Sequence, residues 1–143
     1  MSAENEAVVR RFFEEFCNGR RLDIAEEIIA PDWTIYEPHD PPVARGPEGA
    51  KQVVSLYQDA VEGRWEIKEM ISSGDKVVTR WVGHGVHSSE LMGIPPTGRE
   101  LHVDAITIHR IENGKIAEHV GVWDALTMLQ QLGVVEAPAG AAA

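Results

Sequence analysis

Apolar residues recur at steps of three and four over residues 5–18, and charged residues occupy the opposite side of this segment. That period predicts an amphipathic helix, which Asn18-Gly19 ends. A second helical pattern covers residues 22–29 and stops before Pro31, because the residue preceding a proline is pushed out of the helical region. A third helix is predicted over about residues 48–62.

The second half of the chain changes to an alternation of apolar and polar residues, which is typical of strands. Strands are predicted over 33–36, 65–72, 76–87, 101–111 and 115–123. Asn113-Gly114 joins the last two, since an Asn-Gly pair suits the positive φ angles of a tight hairpin turn. Residues 124–132 then form a final helix with Asp124 at its N-cap.

Helices followed by a run of antiparallel strands predict an α+β domain, in which a curved sheet wraps the N-terminal helices on one face. A chain of 143 residues can bury one core and is too short for two domains of ordinary size. We assign the domain to residues 1–135. Residues 136–143 contain nothing large to bury, so we expect a disordered tail.

Charge and composition limit the partners of the chain. Its formal charge of -10 repels phosphate backbones and anionic lipid heads, so we expect neither a nucleic acid nor a membrane partner. The N-terminus lacks the pattern of a secretory signal, and no stretch approaches the roughly 20 apolar residues that span a bilayer. We therefore predict a cytoplasmic protein. The single cysteine, Cys17, excludes an internal disulfide and a thiolate zinc cluster.

Two stretches of the chain resemble a known family. They are Gly93-Ile94-Pro95-Pro96-Thr97-Gly98 and the segment from His109 to Asp124, which contains Gly114-Lys115-Ile116 and Glu118-His119 and is followed by Gln131-Leu132-Gly133. From its first helix to Gly133, the chain resembles the SnoaL-like polyketide cyclases, also called ester cyclases. The resemblance implies the cone-shaped α+β barrel that these proteins share with scytalone dehydratase, ketosteroid isomerase and nuclear transport factor two. An apolar pocket lies between sheet and helices in that fold.

The resemblance also locates the general acid/base aspartate of these cyclases, and this chain has Gly121 at that position. The polar partners of that aspartate fall at Ala105 and Thr107. The intramolecular aldol reaction of the family needs a base beside a carbonyl and an acid for the new alkoxide. A glycine can serve as neither, so we expect the site to differ from that of a standard cyclase.

His119 is the first catalytic candidate, because it shares a strand face with Gly121 and histidine transfers protons near neutral pH. A histidine among apolar strand residues is, however, more often a structural group than a catalyst. Tyr36, at the end of the first predicted strand, is a second candidate, since a phenol can donate a hydrogen bond to a substrate carbonyl.

Further side chains are predicted to line the pocket, with plain core packing as the alternative for the aromatic ones. They are Phe16, Trp33, Trp81, His87, Thr107, His109, Gly121 and Trp123. His84 and His87 lie three residues apart on a strand and so point to opposite faces, which argues against joint metal coordination. We predict no metal site and no cofactor.

Asp104 is the carboxylate best able to replace the missing aspartate, but strict alternation places it on the face opposite Thr107. A β-bulge would reverse that assignment. Without one, Asp104 belongs to the outer face of the sheet. The apolar residues of that face predict a homodimer contact: Ile106, Ile108, Val120 and Val122.

The function predicted from these observations is acid/base chemistry on a hydrophobic carbonyl compound of polyketide or ester type. Cyclisation, isomerisation and dehydration all fit, as expected of an isomerase or lyase, with His119 as the acid/base and Tyr36 or Thr107 as hydrogen-bond donor. One alternative is an epoxide or ester hydrolase in which Asp104 activates water. Another is a non-catalytic small-molecule-binding protein that has lost the cyclase aspartate.

Overall fold

A computed structural model describes residues 2–38, 40 and 42–136 of the chain. Helix α1 spans Ser2–Arg11 and continues as a π-helical segment over Phe12–Asn18; a 3-10 turn over Leu22–Ile24 precedes α2 (Ala25–Ile28), β1 (Ile29–Tyr36) and α3 (Gly46–Ala60). Four strands and a short helix complete the order: β2 (Val61–Ser73), β3 (Lys76–His87), β4 (Glu100–Glu112), β5 (Lys115–Trp123) and α4 (Ala125–Gln131). None of these helices is long and apolar enough to cross a membrane.

The five strands form one curved sheet in the order β1-β5-β4-β3-β2, so β1 and β2 are its two edges and the sheet is not closed. The predicted α+β class is confirmed. The expected all-antiparallel sheet is wrong in one respect, because β1 pairs in parallel with β5. The connection from β1 to β5 runs through α3 and three strands, and such a long connection allows the parallel pairing.

Most predicted elements are present with shifted ends. Both β1 and β2 begin well before their predicted starts; β1 begins at Ile29 and includes Pro31, so the preceding helical segment is shorter than predicted. The turn at Asn113-Gly114 has φ angles of 51° and 75°, which confirms the hairpin chemistry. Asp124 accepts a hydrogen bond from the Thr127 backbone N–H at 3.0 Å, which confirms the N-cap. The predicted tail lies almost wholly outside the described residues.

The sheet separates a buried face from an exposed face. Along β4 buried and exposed residues alternate strictly, with Val103, Ala105 and Thr107 buried and Asp104 exposed. The buried face packs against the π-helical segment, where Phe13 and Phe16 are almost fully buried. The two pieces of core meet around a cavity between the sheet, α3, α4 and this segment.

Candidate active site

The cavity has a volume of about 120 Å³ and is lined mainly by apolar and aromatic side chains. Phe12, Phe13, Val54, Leu101, Trp123 and Met128 are among them. Polar side chains also line the cavity. Glu37, Tyr57 and His119 are grouped together there, because Glu37 contacts His119 and is linked to Tyr57 through Asp40. An apolar wall with a few convergent polar groups is the usual form of a site for a small hydrophobic molecule.

Three titratable side chains form a line of hydrogen bonds that begins in the cavity wall. His119 Nε2 lies 2.5 Å from Glu37 Oε1, and His119 Nδ1 lies 3.0 Å from His109 Nε2. The side chains of Glu37 and His119 are each only 8% exposed, and His109 is fully buried. A proton can therefore pass between carboxylate and imidazole without crossing bulk water.

The pairing of the strands brings these three side chains together. His109 on β4 lies directly opposite His119 on β5, and Ile35 on β1 is the parallel partner of His119. Glu37 follows Ile35 by two residues, so its side chain returns to the same side of the sheet. The contact between Glu37 and His119 joins residues 82 positions apart in the sequence.

The environment favours an ionised Glu37 and a neutral His109. Burial pushes the pKa of Glu37 upward, but the hydrogen bond and charge of His119 outweigh burial, assisted by Asp40 and Trp123, and the pKa ends below its usual value. Burial, with the neighbouring His119, holds the pKa of His109 well below that of a free histidine. His109 Nδ1 has no hydrogen-bond partner among the described residues. When His119 is neutral, the arrangement fits a proton on His109 Nε2, donated to His119 Nδ1, and a proton on His119 Nε2, donated to Glu37.

A second carboxyl group adjoins the first. Asp40 accepts a hydrogen bond from the Tyr57 hydroxyl. Burial, together with a hydrogen bond to Glu37 and the negative charge of that residue, raises the pKa of Asp40 to about 7. Burial and the charge of Asp40 raise the pKa of Tyr57, so its phenol stays protonated. Two carboxyl groups with opposite pKa shifts at one site are typical of an acid and a base held side by side.

Gly121 leaves room for the Glu37 carboxylate. A Cβ atom at position 121 would lie 3.0 Å from Glu37 Oε1, 3.0 Å from Thr107 Oγ1 and 3.4 Å from His119 Nε2. Thr107 is itself held in place, because it accepts a hydrogen bond from Trp81 Nε1 at 2.9 Å. The space beside Gly121 is therefore occupied by polar atoms of the site.

Comparison with known proteins identifies the family of the chain. The family model described as SnoaL-like polyketide cyclase matches residues 7–132. The chain belongs to the SnoaL-like polyketide cyclase family. It is 32% identical over 132 residues to an aklanonic acid methyl ester cyclase of Streptomyces peucetius, covering 88% of each chain. It is 30% identical over 118 residues to a nogalonic acid methyl ester cyclase of Streptomyces nogalater, covering 81% of this chain and 88% of that one.

A solved structure supports the same family assignment. IdmH of Streptomyces antibioticus superposes with a TM-score of 0.77 at 34% identity, covering 90% of this chain and 98% of that chain. The SnoaL-like fold predicted for this chain is thus shared with a protein of known structure.

The three predicted catalytic residues have different positions in this SnoaL-like chain. His119 lines the cavity, as the alternation on β5 predicts. Tyr36 is 63% exposed and does not line the cavity, because the residues before and after it, Ile35 and Glu37, take the inward positions. Asp104 is exposed on the outer face, and the ladder between β3 and β4 runs through it without a bulge. The structure therefore does not support a catalytic role for Tyr36 or Asp104.

The predicted pocket residues divide into a lining and a layer behind it. Trp81 and Trp123 line the cavity. The layer behind it holds Thr107, Gly121, His109 and Trp33, whose ring lies 6.3 Å from that of His119. Phe16 is fully buried and stacks on Phe12 without lining the cavity. His87 is buried away from it, 3.0 Å from the Thr97 hydroxyl.

Sequence reasoning missed Glu37, Asp40 and Tyr57. The alternation of Trp33, Ile35 and Glu37 carried a signal for the first of these, which directly follows the last residue of β1, but the prediction selected Tyr36. Asp40 and Tyr57 meet only through the packing of α3 beside β1. Among the described residues, no group of three or more His, Cys, Asp or Glu side chains is arranged to hold a metal ion.

Proposed function

We propose that this protein catalyses proton transfer on a hydrophobic carbonyl compound without a cofactor, with Glu37 and His119 together as its acid/base unit. One observation carries the proposal: a buried carboxylate and imidazole, 2.5 Å apart, lie in the wall of a largely apolar cavity. General acid/base catalysis needs such a pair within hydrogen-bond reach of the substrate. Its curated relatives are named as ester cyclases, which supports the reaction class.

The reaction proceeds by moving one proton. The pair removes the proton from the carbon beside a carbonyl, which leaves an enolate. The enolate carbon attacks a second carbonyl of the same molecule and forms a carbon–carbon bond. The pair then returns the proton to the new alkoxide oxygen, so an aldol ring closure gains and loses no atoms. Isomerisation and dehydration begin with the same proton removal and are close alternatives.

The hydrolase alternative receives no support, since Asp104 is exposed and on the far side of the sheet from the cavity. The binding-protein alternative rested on the loss of a carboxylate at position 121. Glu37 supplies a carboxylate within 3.0 Å of where a side chain at that position would begin. The cavity thus holds the groups that proton transfer requires.

Turnover of a substrate panel tests the proposal. The cavity of about 120 Å³ lies below the roughly 300–1,000 Å³ that encloses drug-sized ligands, so the panel should include single-ring β-keto esters as well as polycyclic polyketide esters. Tryptophan fluorescence reports binding, and mass spectrometry of the same samples reports change. Binding of every compound without change in any would refute catalysis and favour a binding protein.

Two variants assign the chemistry. Glu37→Gln and His119→Gln should each lower kcat by about 100-fold or more, the range of general acid/base contributions. Glu69→Gln is a control, because Glu69 pairs with Arg80 at 3.5 Å and neither residue lines the cavity. An unchanged kcat in Glu37→Gln would refute the assignment.

We further propose that a second copy of the chain covers the outer face of the sheet. Ile106 and Val122 are paired neighbours on β4 and β5 and are 51% and 62% exposed. Arg110 lies opposite Glu118 further along the same two strands, so the face carries both charges and can meet its own copy. Ile106→Glu should convert a dimer to a monomer in analytical ultracentrifugation. Leu126→Glu, on the exposed side of α4, should leave the dimer intact.

A further inference from the structure

Gly121 has no side chain, and polar side chains of other residues fill the space beside it. The three nearest atoms to a Cβ at this position are all polar: Glu37 Oε1, Thr107 Oγ1 and His119 Nε2. These are groups that would hydrogen-bond to a carboxylate at position 121, except that one of them is already a carboxylate. Gly121 is buried, so water would not screen the charge of a carboxylate at this position.

We propose that the site uses one catalytic carboxylate, which either position 37 or position 121 can supply. In this protein Glu37, directly after β1, supplies it. The catalytic role of this carboxylate rests on the proposed function. The shared space itself follows from geometry: the carboxylate oxygen of Glu37 lies 3.0 Å from the Cβ position of residue 121 and 2.5 Å from His119 Nε2.

The register of the sheet explains how two strands can reach one point. β1 runs parallel to β5, with Tyr36 beside Val120, so Glu37 directly follows the last residue of β1 and Gly121 is the next residue of β5. The inward side chains of these neighbouring positions point into the same region. A long side chain on the edge strand and a short acidic one on β5 would compete for the same hydrogen bonds from His119.

Two carboxylates would crowd this space. A second one would add a like charge in a buried setting, and its Cβ would approach the polar atoms more closely than ordinary van der Waals contact. On this inference, the glycine at position 121 accompanies the carboxylate at position 37 and is compatible with a working active site.

A carboxylate swap tests the inference. We compare wild type with Glu37→Ala, Gly121→Asp, the double variant Glu37→Ala/Gly121→Asp and the uncharged control Glu37→Ala/Gly121→Asn. Each single variant should lose about 100-fold or more in turnover. The double variant with Asp should recover at least about tenfold over Glu37→Ala, and the Asn control should not.

Thermal unfolding of the same variants decides the point without a substrate. Gly121→Asp should lower the melting temperature in the wild-type background and lower it much less when residue 37 is alanine, because the two side chains no longer compete. An equal loss in both backgrounds would overturn the inference, as would full activity in Glu37→Ala. If wild type changes no compound in the panel, the proposed function fails, and the melting temperatures alone decide whether the two positions share one site.

Discussion

Asp40 offers a direct test of the carboxyl pair through stability. The variant Asp40→Asn keeps an oxygen that can accept the hydrogen bond from Tyr57 but has no charge to place beside Glu37. In wild type, burial and Glu37 raise the pKa of Asp40 from 3.8 to about 7. The folded protein therefore holds a proton on Asp40 that the unfolded chain has already released above pH 4 or so.

The sign of the effect follows from that difference. Between the unfolded and folded pKa values the folded state binds the extra proton, so wild type loses stability relative to the variant as the pH rises toward 7. The slope is about 1.4 kcal/mol for each pH unit, which gives an upper limit of about 3 kcal/mol between pH 5 and pH 8. Asp40 is only partly buried and shares its proton with Glu37, so we expect about 1–2 kcal/mol.

Urea unfolding followed by tryptophan fluorescence measures this effect. The free energy of unfolding of wild type minus that of Asp40→Asn is compared at pH 5 and pH 8. Taking the difference cancels the contribution of His109. Because its pKa is lowered in the folded state, both proteins lose stability as the pH falls below the pKa of a free histidine. A difference that is the same at both pH values would refute the shared proton. Asp59→Asn, which removes an exposed carboxylate on α3, is the control.

Three further substitutions test other parts of the structure. Asp104→Asn should leave turnover within about twofold of wild type, because Asp104 is exposed on the outer face; loss of activity would restore the hydrolase mechanism. Asp124→Ala should lower the free energy of unfolding by about 1 kcal/mol in urea titrations, the usual cost of an N-cap. Gly49→Ala should cost more than about 2 kcal/mol in the same titration, because the added Cβ would lie 1.7 Å from the Ala44 carbonyl oxygen.

The strand faces were predictable from the sequence because alternation is a local property. Residues of β4 and β5 point to opposite sides in turn, so His119, Thr107 and Trp123 were placed inward and Asp104 outward. Tyr36 lies one residue away from an inward position: it is exposed, and Glu37, directly after β1, is buried. A one-residue error at a strand end selects the wrong face, since side chains alternate with a period of two.

The pairing of Glu37 with His119 could not be predicted in the same way. Glu37 and His119 are 82 residues apart and meet through a parallel pairing of β1 with β5, which no turn or periodicity specifies. The partnership of Asp40 with Tyr57 likewise depends on how α3 packs beside β1. Such contacts depend on the packing of distant segments.

The sequence by itself determined the α+β class, the hairpin at Asn113-Gly114, the cap at Asp124 and the inward position of His119, because each follows from periodicity or from turn and cap chemistry within a few residues. The tertiary structure alone decided which carboxylate reaches His119. Gly121 reads in the sequence as a missing catalytic group, and only the fold shows that Glu37 occupies that space, since a vacant position on one strand can be filled from its neighbour.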